Sequence, residues 1–232
     1  MGTSASYIAS PNWSNSKSEL TRNSGSSLGR GGASDFVRKH ITNNGGAGST
    51  ASGRGVLGSG KSAKTTAARL GGLFSGFSRD GFEETMRRFG LQDMIGKPIK
   101  EIFRAIQEFL DMPGNSIDET DARAALMDLF EELEKDADDD IETALQNKTT
   151  SDVIVSYFGY YIYEQMRRLH FEDEIKNQIG DNPERHLEEI KEIIQYNIRT
   201  IMIDEDCSKI DWFGKEGKTI VNKVIKSVLN SF

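Results

Sequence analysis

Eight residues, Gly55-Val56-Leu57-Gly58-Ser59-Gly60-Lys61-Ser62, fit the phosphate-loop pattern G-x-x-x-x-G-K-[ST]. In that motif backbone amides between a strand and a helix wrap phosphates, while the lysine and the hydroxyl serve phosphate and magnesium. The strand is missing, because residues 43–54 hold no apolar run. Ile201-Met202-Ile203-Asp204-Glu205 could stand as a second half, but it continues the apolar stripe of the segment before it. With no alternation of strands and helices, the match reads as a glycine-rich basic linker. Nucleotide hydrolysis at Lys61 is then a third choice behind two binding functions.

The other reactive side chains are sparse. His170 and His186 lie near Glu172, Glu174 and Glu189, but at a spacing that fits no established metal motif, so no metal site is expected. Cys207 is the single cysteine and lacks a partner histidine, which excludes an internal disulfide framework and leaves a buried or boundary thiol. Nothing resembles a catalytic dyad or triad, and no cofactor is implied. Tyr157, Tyr160, Tyr161 and Tyr163 cover all sides of one helix. They read either as a protein contact surface or as a helix buried on most sides.

The remaining reactive group is at the N-terminus, Met1-Gly2-Thr3-Ser4-Ala5-Ser6-Tyr7. Removal of Met1 before a small residue exposes the amine of Gly2, which no side chain shields. The same residues fit the myristoylation pattern M-G-x-x-x-[ST]. A single acyl chain anchors only marginally without an adjacent polybasic patch, and the basic residues here are spread over seventy positions.

Charge is distributed unevenly. Residues 1–70 carry nine basic groups against two acids, whereas the rest carries 20 against 34. A basic arm on an acidic body can bind an anionic partner such as nucleic acid, or lie against its own body. With 28% charged residues, a mean hydropathy of -0.52, no apolar run of membrane length and no signal-peptide pattern, the chain is expected to be cytoplasmic.

The elements that must position these groups follow from apolar spacing. Residues 1–60 read as a flexible, basic, Gly/Ser-rich N-terminal arm, interrupted by a short helix from Ser34-Asp35 to Ile41 with Phe36, Val37, His40 and Ile41 on one face. Fifteen of the 23 glycines fall in the first 76 residues. Residues 61–232 read as one helical domain. Ala63–Phe77 shows helical spacing weakened by Gly71-Gly72, and Asp80 is placed to cap the next helix, which Gly90 stops. Pro98 opens a clean stripe through Leu110, and Ser116-Ile117-Asp118-Glu119 is a capping box. Further helices are expected around Ile141–Leu145, from Thr149, from Pro183, and at the C-terminal end from Ile220 to Leu229. The fold class is all-α, a bundle of about seven or eight helices behind the arm.

Three stretches carry a family resemblance: Met1–Ser6, Ala67-Ala68-Arg69-Leu70-Gly71-Gly72-Leu73-Phe74-Ser75-Gly76, and Gly96-Lys97-Pro98 through Ser116-Ile117-Asp118-Glu119. Together they resemble QatB, a component of bacterial Qat anti-phage defence systems. Those systems also encode an ATPase, a QueC-like enzyme and a TatD-like nuclease. The resemblance covers most of residues 1–130 and departs at Ser10, where the family often has glycine before proline. It implies a non-enzymatic component whose Gly2 is the acceptor for a deazaguanine transferred by the QueC-like enzyme. Thr3, Ser4, Ala5, Ser6 and Tyr7 would then occupy the enzyme's groove. A nucleic-acid-binding module using the basic arm is the rival reading.

Overall fold

The computed structural model describes residues 29–43, 60–111, 116–135, 145, 148–170, 183–201 and 206–232, and among these it contains helices and no strand. Among the described residues, eight α-helices with bounds run in order: α1 (Gly29–Asn43), α2 (Lys61–Asp80), α3 (Phe82–Arg88), α4 (Ile99–Leu110), α5 (Ile117–Lys135), α6 (Thr150–His170), α7 (Pro183–Ile198) and α8 (Lys215–Asn230). Short 3-10 turns occupy Gln92–Met94 and Cys207–Lys209. The expected all-α bundle is what forms. No described helix is long and apolar enough to cross a membrane.

The bundle is built around α6, which packs against α2, α5, α7 and α8. Its buried residues run almost continuously from Val153 to Met166 and include all four tyrosines. Of the two readings of that tyrosine set, burial on most sides is the one realised. A helix surrounded by four others keeps little solvent-facing surface between its ends, so its buried residues are not confined to one stripe.

The flanking helices are amphipathic and start where local chemistry dictates. α4 turns Ile102, Phe103, Ile106 and Leu110 inward, and Phe103 meets Phe130 of α5 edge to face at 5.3 Å. The capping box at the start of α5 closes in both directions. Ser116 N donates to Glu119 Oε2 at 2.7 Å, and Glu119 N donates to Ser116 Oγ at 3.2 Å. These bonds hold the Glu119 carboxyl below its ordinary pKa. Thr149 and Asp152 make the equivalent pair before α6, at 3.2 and 3.1 Å.

Two expected caps are replaced. Asp80 does not cap α3; it is the last residue of α2 and pairs with Arg79 and Arg88, which draws its pKa down to about 2. The break falls instead at Gly81, whose φ of 82° is open to glycine at little cost. Likewise α1 begins at Gly29, ahead of Ser34-Asp35, and Asp35 pairs with Arg38 within the helix.

Residues 29–43 lie in the stretch set apart above as the arm, and they pack on α7. Ala33, Phe36, Val37, His40 and Ile41 are buried, so the face expected from spacing is the face that packs. Gly29, Gly31 and Gly32 crowd the start of α1, and each disfavours a helix by up to about 1 kcal/mol relative to alanine. Such a helix depends on tertiary packing. Phe36, Val37 and Ile41 supply it at roughly 1.5–3 kcal/mol each on burial.

Candidate functional site

The residues named for partner binding and modification, Gly2, Thr3, Ser4, Ala5, Ser6 and Tyr7, lie outside the described residues, as do residues 55–59 of the phosphate-loop match. Lys61 and Ser62 are described, and they form the first turn of α2. In a phosphate loop the free amides of that turn would face an anion. Here the anion is internal: Ser62 N donates to Asp118 Oδ2 at 2.8 Å, and Tyr161 donates its hydroxyl to Asp118 Oδ1 at 2.7 Å. One carboxylate from the first turn of α5 thus caps α2 from across the bundle and ties both helices to α6. It also favours the positive end of the α2 dipole. Burial pushes the Tyr161 hydroxyl pKa far up, with Asp118 adding to the shift. Burial lowers the Lys64 pKa, and Asp118 opposes that shift.

The Asp118 cap argues against phosphate binding at this turn, because a fixed carboxylate repels the ligand the motif would serve. Lys61→Ala is therefore expected to leave ATP binding and turnover by the purified chain unchanged. ATP turnover that disappears in this variant would restore the hydrolase reading.

A second constellation was not anticipated as such. The glycine pair in the middle of α2 receives the aromatic turn at Trp212-Phe213. A Cβ on Gly71 would overlap the six-membered ring of the Trp212 indole, and one on Gly72 would lie 3.0 Å from the Phe213 ring. The indole is 3% exposed, and its Nε1–H donates to Ser75 Oγ at 2.7 Å and to the Cys207 carbonyl at 3.2 Å. Ser75 in turn donates to that carbonyl at 2.8 Å. Cys207 is partly buried and serves this network through its backbone. The signal in the sequence was a glycine pair inside an otherwise good helix, which marks close approach of another group.

The third feature is a groove of about 1060 Å³ where α5, α6 and α7 diverge. Its lining carries more acids than bases, and Lys135, Lys148 and Lys191 each pair with an acid of α5. Lys191 Nζ sits 3.3 Å from Asp128 Oδ1 and over the rings of Tyr160 and Tyr163, at 5.2 and 5.3 Å. The Tyr160 hydroxyl donates to Glu132 at 2.8 Å. Burial raises the Tyr163 pKa to about 12, and it also raises that of Glu164 against the pull of Arg167. These shifts follow from enclosure and ion pairing and mark no acid–base pair. Among the described residues no group of three or more His, Cys, Asp or Glu could hold a metal ion. His186 is buried within α7, and the side chain of His170 is outside the description.

The basic character of residues 1–70 is partly absorbed by the fold. Arg69 donates towards the carbonyls of Phe109 and Asp111 at 3.4 and 3.5 Å, and Arg38 pairs with Asp35. Lys64 is half-buried beside Asp118. The described part of this stretch therefore presents less free positive charge than its composition suggests.

A family model for the Qat anti-phage system associated protein QatB matches residues 45–232. No curated protein and no solved structure matches the chain.

Proposed function

The chain belongs to the QatB family of Qat anti-phage system associated proteins, and from that premise we propose that it is a non-enzymatic component presenting Gly2 to a QueC-like partner. Its role is in an anti-phage defence system. In the reaction proposed, the partner uses ATP to convert a deazaguanine carboxylate into an acyl adenylate, releasing pyrophosphate. The neutral amine of Gly2 attacks the acyl carbon, AMP leaves, and a proton passes to solvent as the amide forms. An α-amino group with a pKa near 8 supplies enough neutral amine near neutral pH.

The observation that carries this reading is the family match over residues 45–232, taken with the small residues Gly2-Thr3-Ser4 ahead of it. One feature of the body agrees with a substrate role: the turn that the phosphate-loop pattern would give to a nucleotide holds Asp118 instead. The ATPase and the TatD-like nuclease of the same system are further candidate partners.

Co-expression with the cognate QueC-like enzyme is expected to add one deazaguanine amide to the intact mass, located on the peptide Gly2–Lys17. Gly2→Pro, or one residue inserted before Gly2, should abolish the adduct while circular dichroism of the bundle is unchanged. A chain that binds the active partner and stays unmodified at Gly2 would refute the acceptor role. A fatty-acyl mass on the same peptide would indicate myristoylation instead.

A further inference from the structure

We propose that the groove between α5, α6 and α7 docks a lysine- and arginine-bearing segment of another protein. Its volume of about 1060 Å³ is that of a pocket holding a whole drug-sized molecule, so it takes several side chains of such a segment. The inference does not depend on Gly2 being an acceptor, and its test does not use that reaction.

The two walls of the groove differ in charge. On α5, Glu131 pairs with Lys135 at 2.9 Å and Asp128 with Lys191 at 3.3 Å. Glu132 lies 3.9 Å from Lys148 and accepts from the Tyr160 hydroxyl. On α7, Glu188 and Glu192 are exposed and make no ion pair among the described residues. One helical turn separates them, so each carboxylate raises the energy of the other. Tyr196 follows a turn later on the same face and is 56% exposed. All three line the groove. An incoming cation relieves the repulsion between the two glutamates, and the Tyr196 ring offers a face to its guanidinium or its apolar stem.

The groove already holds one cation. Lys191 Nζ rests on Asp128 Oδ1 and over the rings of Tyr160 and Tyr163, both of them buried, so a carboxylate and two aromatic faces seat an ammonium at the wall. The other oxygen of Asp128, Oδ2, has no hydrogen-bond partner among the described residues. That carboxylate therefore has acceptor capacity beyond what Lys191 uses. A nucleic acid would be repelled by the α7 wall. A polyamine would fill only a small part of the groove, and it is the rival cation.

The test uses the full chain and a fluorescein-labelled peptide of about a dozen residues with lysine and arginine at helical spacing. Anisotropy should show saturable binding that weakens with salt. Glu188→Gln with Glu192→Gln should weaken it at least about fivefold, and Tyr196→Ala, which alters no charge, about threefold. Glu83→Gln with Glu84→Gln removes two exposed acids of α3 and should change the affinity less than about twofold. All five positions are exposed, so circular dichroism should be unchanged throughout. Equal weakening in the α3 control would mean bulk charge attraction and overturns the proposal. Unchanged binding in the α7 pair or in Tyr196→Ala overturns it as well. Spermidine that binds more tightly than the peptide, and needs Glu188 and Glu192 to do so, overturns it in favour of a polyamine site.

Discussion

Trp212→Ala is expected to lower the stability of the bundle by about 3–5 kcal/mol, the range for deleting a large buried aromatic. The indole is almost fully enclosed, lies on Gly71 of α2 and donates its N–H into the Ser75–Cys207 network. Its loss opens a cavity and leaves Ser75 with one donor fewer. Gly71→Ala acts on the other side of the same contact. Its methyl collides with the indole, and overpacking of this kind costs roughly 1–3 kcal/mol. The two changes should not add. In the double variant the alanine methyl enters the space left by the indole, and the coupling should be at least about 1 kcal/mol in the favourable direction. Urea unfolding of the three variants measures this. Additive losses, or a Trp212→Ala loss below about 1 kcal/mol, would show that the turn is not seated on the glycine pair.

Asp118→Ala should cost about 3 kcal/mol, a large effect for a partly exposed residue. The carboxylate accepts from Tyr161 at 2.7 Å and from Ser62 N at 2.8 Å, and hydrogen bonds to charged groups contribute about 1.5–3 kcal/mol each. Removing it strands a buried tyrosine hydroxyl and uncaps α2. Asp118→Asn should recover part of the loss, because the two donors meet different oxygens of the carboxylate and the amide keeps an acceptor at only one of those places. Tyr161→Phe in the Asp118→Ala background should cost less than in the wild type, since the hydroxyl then has no acceptor. The expected local readout is faster hydrogen exchange at the first amides of α2, with the far end of that helix unchanged. Unaltered protection of the Ser62 amide in Asp118→Ala would rule out the cap.

What the sequence determined by itself was the set of helices and their inward faces. Apolar spacing of three and four placed Ile102, Phe103, Ile106 and Leu110 inside, as it did Ile220, Val221, Val224 and Ile225 of α8. The pair Ser116 and Glu119 set the start of α5, because both halves of a capping box lie within one turn. Such signals are local, and the residues that decide them are neighbours in the chain. The tertiary structure alone decided the joints between helices. Asp118 reads in the sequence as an ordinary first-turn acid, and only the packing brings Ser62 to it across 56 positions. Gly71 reads as a weak point in α2 until Trp212 arrives to fill it, and the Trp212–Ser75 bond spans 137 positions. The tyrosines of α6 left two readings open, because the sequence gives the helix's own pattern and not the number of helices around it. The cap role expected of Asp80 was misassigned for the same reason. The carboxylate that looked like a cap for α3 is taken by Arg79 and by Arg88, a residue made adjacent only when α3 folds back on α2.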